Sequence, residues 1–397
     1  MKLRLLILAL GNFAIGTGAL VIAGVLPLIA HTLTVPVTTA GQLVTVYALT
    51  YAVAAPLLTA LTGRVARRRL LLMALALFIA GNVLAVLAPT FGVLVLARVV
   101  SAGGAALFTP IALTVAVTLA PPAERGRALA LVFAGLPVAT VLGVPLGTFM
   151  GAHYGWRATF IVVVLLGVVA AGGVVALIRG VAAPPPLPPR TWLALLRDRR
   201  LLPALSLTLL QSTAQFTVFT YIALLLGHTI GLAGTGLSLM LLFFGLAGLI
   251  GNSVGGYGAD RWSATGTVAV SLVALAIALA ALPVAGLSVL GTALALGVWG
   301  FAGIAFNPAQ QARLLALAPA APGAVLSLNA SALYLGTAAG AVLGGMVAHA
   351  LTVTMIGPAG ALVGVCALVI LVVSVRTRAT GITAVTASAR TSVATTS

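Results

Sequence analysis

Apolar residues run along this chain in long, uninterrupted stretches, and the breaks between them are short, polar or basic. A stretch of roughly 20 such residues is what a helix needs to cross a bilayer's hydrocarbon. The pattern predicts twelve crossings, near 5–30, 41–62, 70–88, 92–120, 128–152, 158–179, 203–227, 237–259, 267–283, 289–318, 324–350 and 357–375. Barrel strands would be about 10 residues long and would alternate apolar with polar, whereas these runs are continuous. The expected fold is an all-α membrane protein of twelve transmembrane helices. The first run, 26 residues from 5 to 30, is longer than the apolar core of a signal peptide, so it reads as a retained first helix.

Composition sharpens this picture. Of 397 residues, 62% are hydrophobic and 6% charged, and the mean hydropathy is +1.25. A soluble protein of this size would need far more charge to cover its surface. Lys and Arg total 20 against three acids, Glu124, Asp198 and Asp260, for a net charge of +17. In an apolar chain that excess orients the spans rather than binding nucleic acid, and no nucleic-acid partner is expected. With the N-terminus in the cytoplasm, Lys2, Arg4, Arg64, Arg67, Arg68, Arg69, Arg125, Arg127, Arg261 and Arg313 fall inside. Arg157 falls outside, Arg98 lies within a span, and His31, His153, His228 and His349 sit at outer ends. The reading is a multi-pass cell-membrane protein with both termini cytoplasmic, in contact with the lipid bilayer and monomeric. A lone cysteine, Cys366, in an apolar run excludes a cysteine-ligated metal site and a disulfide framework. No Gly-rich loop ending in Gly-Lys-Ser/Thr occurs, and no Ser/His pair or metal-ligand cluster stands at membrane depth. Neither a cofactor nor an enzymatic activity is expected.

Two halves share one plan. Phe108-Thr109-Pro110 returns as Phe306-Asn307-Pro308, and Leu119-Ala120-Pro121 as Leu317-Ala318-Pro319, both displaced by 198. Gly143 and Gly147 match Gly340 and Gly344 at a displacement of 197, as Gly63-Arg64 matches Asp260-Arg261. Between the halves lies a proline-rich break with Pro184, Pro185, Pro186, Pro188 and Pro189, where a helix cannot continue. The predicted units are a six-helix bundle over 1–179, a cytoplasmic linker over 180–202, a second bundle over 203–378 and a disordered tail over 379–397. Six is even, so the halves run parallel about an axis along the membrane normal, the arrangement of transporters with a cavity between two bundles.

Four local patterns resemble the major facilitator superfamily, and within it the twelve-span drug:proton antiporters that include sugar-efflux and chloramphenicol-resistance exporters. Span one reads Gly16-Thr17-Gly18-Ala19-Leu20-Val21-Ile22-Ala23-Gly24-Val25-Leu26-Pro27. The loop after span two, Gly63-Arg64-Val65-Ala66-Arg67-Arg68-Arg69, resembles the superfamily's basic loop. Span four has Arg98 followed by Ser101, Gly103 and Gly104, and span five has Gly143-Val144-Pro145-Leu146-Gly147 ahead of Gly155-Trp156-Arg157. The resemblance implies the two-bundle fold, alternating access and proton antiport. It also exposes departures: the family's span-one carboxylate falls at Ala19, and the acid of the basic loop at Gly63, while the second copy keeps Asp260.

The candidate residues follow. A guanidinium near mid-bilayer costs at least ~2.5 kcal/mol, so Arg98 is either a substrate or coupling group or a tether to a neighbouring helix. No Asp or Glu lies in a predicted span, so its expected partners are backbone carbonyls and span-one side chains such as Asn12 and Thr17. Spans seven and ten add Gln211, Gln215, Trp299 and Asn307, with Thr109 the repeat partner of Asn307. These amides, hydroxyls and the indole either orient a solute in an apolar pocket or bond helix to helix. Arg64, Gly143, Pro145, Gly147, Asp260 and Arg261 are the gating candidates. Proton coupling ordinarily uses a buried carboxylate, and this chain offers none at depth, which leaves a rim histidine, an ionisable substrate or Arg98. The predicted function is export of a small apolar or amphipathic solute, a drug such as chloramphenicol or a sugar, by alternating access with proton antiport. The alternative is a facilitator or uptake carrier for a sugar or nucleoside.

Overall fold

The computed structural model describes residues 1–62, 65–121, 124–178, 195, 197, 198, 200–319 and 321–374. All regular structure among them is helical. Span one comprises Lys2–Leu20 and Ile22–Thr32, joined at Val21. Span two is Val37–Leu61, span three Arg67–Leu87, span four Phe91–Leu119, span five Arg125–Tyr154 and span six Trp156–Leu177. Span seven comprises Leu201–Phe219 and Ile222–Ile230, which meet at 46°. Spans eight and nine lie in one run, Gly234–Ala285. That run of 52 residues would make about 78 Å of straight helix, more than twice the hydrocarbon thickness. It turns at Ser263, whose backbone is extended (φ −172°, ψ 130°) and whose hydroxyl accepts from the Gly266 amide, so Gly234–Gly258 and Ala264–Ala285 are separate crossings. Span ten is Val289–Leu317, span eleven Pro322–Ala350 and span twelve Val353–Ser374. Counted in this way the crossings among the described residues number twelve. The proline-rich linker and the tail predicted beyond 378 lie outside the described residues.

The duplication is visible in the helices. Span four and span ten each have 29 residues and are displaced by 198 at both ends. Even their caps correspond: the Thr90 hydroxyl accepts from Val93 N–H and the Ser288 hydroxyl from Gly291 N–H, satisfying an orphan donor of the first turn. Spans two and eight each have 25 residues, displaced by 197. The opening segments Lys2–Leu20 and Leu201–Phe219 are both 19 residues long and both end in a break, at Val21 and at Thr220–Tyr221. One six-helix plan has thus been built twice.

Glycines set the spacing inside each half. A Cβ on Gly143 would stand 2.0 Å from the Thr17 hydroxyl, and one on Gly147 2.2 Å from Val21. On span eleven, a Cβ on Gly340 would stand 2.6 Å from the Thr213 carbonyl, and one on Gly344 2.2 Å from that of Thr217. Spans five and eleven therefore lie against spans one and seven with almost no side chain between them. Just before Pro145 in span five the helix loosens into a π turn, Ala139–Gly143, the local widening that a missing proline N–H favours.

Between the halves, span two packs along span eleven and span five along span eight. These seams are unequal from end to end. At the end bearing His31, His153, His228 and His349, one buried apolar cluster runs through both halves, with Leu26, Phe160, Tyr221, Leu226, Phe244 and Trp299 among its members. There the Tyr221 hydroxyl donates to the Ala341 carbonyl at 3.0 Å and reaches the Thr38 carbonyl of the other half at 3.5 Å. At the basic end the buried residues divide into a first-half cluster around Leu8, Phe78 and Phe108 and second-half clusters around Leu207, Phe306 and Leu314. Span five shows the same divergence: Val144–Tyr154 packs on span eight, whereas Arg125–Phe133 packs on spans one and four. Among the described residues the halves share one apolar core at the histidine-bearing end, while toward the basic end their cores separate and the seam is held by Tyr334 packing on the first-half cluster and by the Ser331 hydroxyl donating to the Ala52 carbonyl.

Candidate functional site

Arg98 lies in span four and is 1% exposed. Its Nη1 donates to the Gly18 carbonyl at 2.8 Å and its Nη2 to the Ala19 carbonyl at 3.4 Å. Those carbonyls are among the last of the segment Lys2–Leu20, where the break at Val21 leaves acceptors without regular helical partners. The guanidinium covers the Tyr47 ring of span two, with Cζ 4.1 Å from the centroid, a favourable placement for a cation. Arg98 Nε and the Tyr47 hydroxyl are buried without a hydrogen-bond partner. One turn further along span two, Tyr51 stacks on Tyr334 of span eleven, ring centroids 3.7 Å apart and planes at 21°. Tyr51 also lies within hydrogen-bonding reach of Thr109. Arg98, the two tyrosines of span two and half-buried Tyr334 therefore form one cluster across the seam between the halves.

The expectation that Asn12 and Thr17 would hold Arg98 needs correction, because both side chains are committed elsewhere. Asn12 is fully buried; its Nδ2 donates to the Val132 carbonyl and its Oδ1 accepts from the Thr109 hydroxyl, each at 2.9 Å. It thereby ties spans one, four and five. The Thr17 hydroxyl donates to the Phe13 carbonyl of its own helix and faces Gly143.

In the second half, Gln211 occupies the place that Asn12 holds in the first. Its Nε2 donates to Gln215 Oε1 at 2.9 Å and to the Gly303 carbonyl at 3.1 Å, linking spans seven and ten. Gln215 is half-buried, and so are Asn307 and Gln311 of span ten. The amides of Asn307 and Gln311 have no side-chain hydrogen bond among the described residues. Trp299, by contrast, is fully buried, edge-on to Phe244 at 5.0 Å and to Phe219 at 6.3 Å. It sits within the shared cluster at the histidine-bearing end.

The gating candidates separate by position. Gly143, Pro145 and Gly147 are buried in the packing of spans one and five. Asp260 and Arg261 are exposed at the turn between spans eight and nine, where Arg261 lies 5.8 Å from the centre of the Tyr257 ring. Arg64 lies outside the described residues. Arg157, the basic residue that the charge pattern places at the histidine-bearing end, donates to the carbonyls of Val86 and Ala88 and covers Trp156 at 4.3 Å. A guanidinium that closes a helix end in this way has a structural reason for its place.

The sequence pattern of the Major Facilitator Superfamily matches residues 8–341. The chain belongs to this superfamily. It is 33% identical over 367 residues to the uncharacterized MFS-type transporter YbcL of Bacillus subtilis, covering 92% of this chain and 94% of that one. It is 36% identical over 374 residues to the inner membrane transport protein YdhP of Escherichia coli, covering 94% and 96%. Among solved structures, the human organic anion transporter MFSD10 superposes with a TM-score of 0.69 at 16% identity, over 93% of this chain and 98% of that one. At that identity the likeness is one of fold. This superfamily member is accordingly a multi-pass membrane transporter of small solutes.

Sequence reasoning missed Tyr47, Tyr51 and Tyr334. A signal was present, since Tyr47 and Tyr51 are four apart and so share a helix face in an apolar span. Nothing in the sequence paired them with span eleven.

Proposed function

We propose that this transporter exports a small apolar or amphipathic solute by alternating access, with its basic end and both termini in the cytoplasm. The observation behind this reading is the unequal seam: one continuous core at the histidine-bearing end, separate cores at the basic end. By the positive-inside rule the end with separate cores would face the cytoplasm, the side from which an exported solute would load. Units over 1–179 and 203–378, joined by the linker 180–202, would rock about the seams of spans two with eleven and five with eight. Gln215, Asn307 and Gln311 supply adaptable hydrogen bonds, and Gln211, Asn12 and Thr109 hold the helices behind them. Asp260 and Arg261, exposed at the turn after span eight, would act at the basic end when it shuts.

Proton antiport, implied by the likeness to drug exporters, lacks its usual carboxylate, because all three acids lie outside the membrane-crossing runs. That observation favours a second reading, a facilitator or uptake carrier. Inverted and right-side-out vesicles, given a panel of antibiotics and sugars with and without a pH gradient, separate the two. Accumulation in inverted vesicles is expected; equilibration alone, or accumulation only in right-side-out vesicles, overturns export.

A further inference from the structure

We infer that the Arg98 cluster is the binding site for an organic monoanion, so that the amphipathic solute proposed above carries its single negative charge to this guanidinium. The inference rests on the export reading for its direction of movement and on charge accounting for its chemistry. Arg98 is 1% exposed, and what faces it is a pair of carbonyl dipoles and the ring of Tyr47. Dipoles satisfy donors but leave a full positive charge at membrane depth. Buried charges are ordinarily paired with an opposite charge. No residue of the chain can do this here: Glu124 precedes the first turn of span five, Asp198 precedes span seven, and Asp260 is exposed at the turn after span eight.

Two donors are also left over at the same place. Arg98 Nε and the Tyr47 hydroxyl are both buried and both without partners. A carboxylate accepts through two oxygens, and charge-assisted bonds to guanidinium are among the strongest available. The neighbouring side chains are aromatic, Tyr51 and half-buried Tyr334, which suits an apolar body behind the charged group. Because Tyr334 belongs to the opposite half, an anion seated here touches both moving parts.

This assignment also supplies a driving force that the missing carboxylate does not. A membrane potential negative inside expels a monoanion, and 100 mV sustains a gradient of about 50-fold. Export then requires no titrating group in the protein.

The test uses the full-length protein in detergent and in proteoliposomes. The probes are 2-naphthoate and its neutral isostere 2-naphthamide, with a set of alkyl and aryl carboxylates and their amides alongside. Calorimetric binding should favour carboxylates over matched amides by at least 10-fold, and Arg98→Gln should abolish that preference while Arg98→Lys retains part of it. If Arg98→Gln fails to fold, Tyr47→Phe removes only the hydroxyl and should cut the carboxylate-over-amide preference at least 3-fold. Equal binding of carboxylates and amides by the native protein, or an undiminished preference in well-folded Arg98→Gln or Tyr47→Phe, overturns the inference. In proteoliposomes a valinomycin-imposed potential should set the direction of naphthoate flux. Naphthamide transported without preference for naphthoate would leave the export reading standing and sink the anion site. Carboxylate-selective binding with accumulation only in the uptake direction would do the reverse.

Discussion

Gly245 of span eight offers the sharpest test of the unequal seam. A Cβ there would lie 2.6 Å from Val141 Cα and 2.8 Å from the Thr140 carbonyl oxygen of span five, both backbone atoms that cannot rotate away. The contact joins the two halves, so Gly245→Ala burdens only the state in which span eight lies on span five. Overpacking of this kind costs about 1–3 kcal/mol. Since each 1.4 kcal/mol is tenfold in an equilibrium constant, the population opened at the histidine-bearing end should rise by about 5- to 150-fold. A reporter cysteine at Ala40, which is fully buried in the shared cluster, would register the change. In a Cys366→Ala background, a membrane-impermeant maleimide added from that side should label Ala40→Cys faster by the same factor once Gly245→Ala is present. Gly340→Ala is the control. Its clash, 2.6 Å from the Thr213 carbonyl and 2.8 Å from the Thr217 amide, lies within one half. It should lower the unfolding temperature and leave labelling unchanged. Unchanged labelling in folded Gly245→Ala, or equal labelling in both variants, would refute the reasoning.

Three further outcomes are expected. Asn12→Ala removes a buried partner of Thr109 and of the Val132 carbonyl; about 1–3 kcal/mol of stability should be lost, seen as a lower melting temperature with the order of solute preference intact. Tyr221→Phe deletes the hydroxyl that reaches across to the Thr38 carbonyl of the other half and should increase labelling of Ala40→Cys by about 2- to 5-fold, as a lost hydrogen bond of about 0.5–1 kcal/mol implies. Ala19→Glu places a carboxylate on the residue whose carbonyl Arg98 already contacts; carboxylate binding should fall at least 10-fold, while efflux becomes driven by a pH gradient, read as a pH-dependent flux in vesicles.

Much of this architecture was legible in advance because the bilayer imposes it. A helix that must keep its backbone bonded in hydrocarbon announces itself as a long apolar run, and the predicted stretch at 289–318 corresponds to Val289–Leu317 and that at 92–120 to Phe91–Leu119. The run from Gly234 to Ala285 was legible as two crossings because Asp260, Arg261 and Ser263 interrupt it. The break at Val21 was not, since no glycine or proline occupies it. The partners of Arg98 were half legible: scarcity of acids pointed to carbonyls, but which carbonyls depended on that hidden break. Gly143 and Gly147 were recognisable as close-approach residues, yet spacing alone could not say whether they met their own half or the other. Polar character likewise did not separate Asn12, held by its neighbours, from Asn307, whose amide has no side-chain hydrogen bond among the described residues.

The matching interruptions in the opening helices of the two halves have a mechanical consequence. Beyond Val21 and beyond Tyr221 stand short rods, Ile22–Thr32 and Ile222–Ile230, of 11 and 9 residues and about 16 and 14 Å. They pack on each other across the two halves. Each meets its long rod at an interruption of the helical hydrogen-bond ladder, the place where a rod bends first. In the proposed export cycle, closing the histidine-bearing end would therefore be separable from the tilting of whole bundles, and a state sealed at both faces would need only these two short rods to stay packed while the basic end draws together.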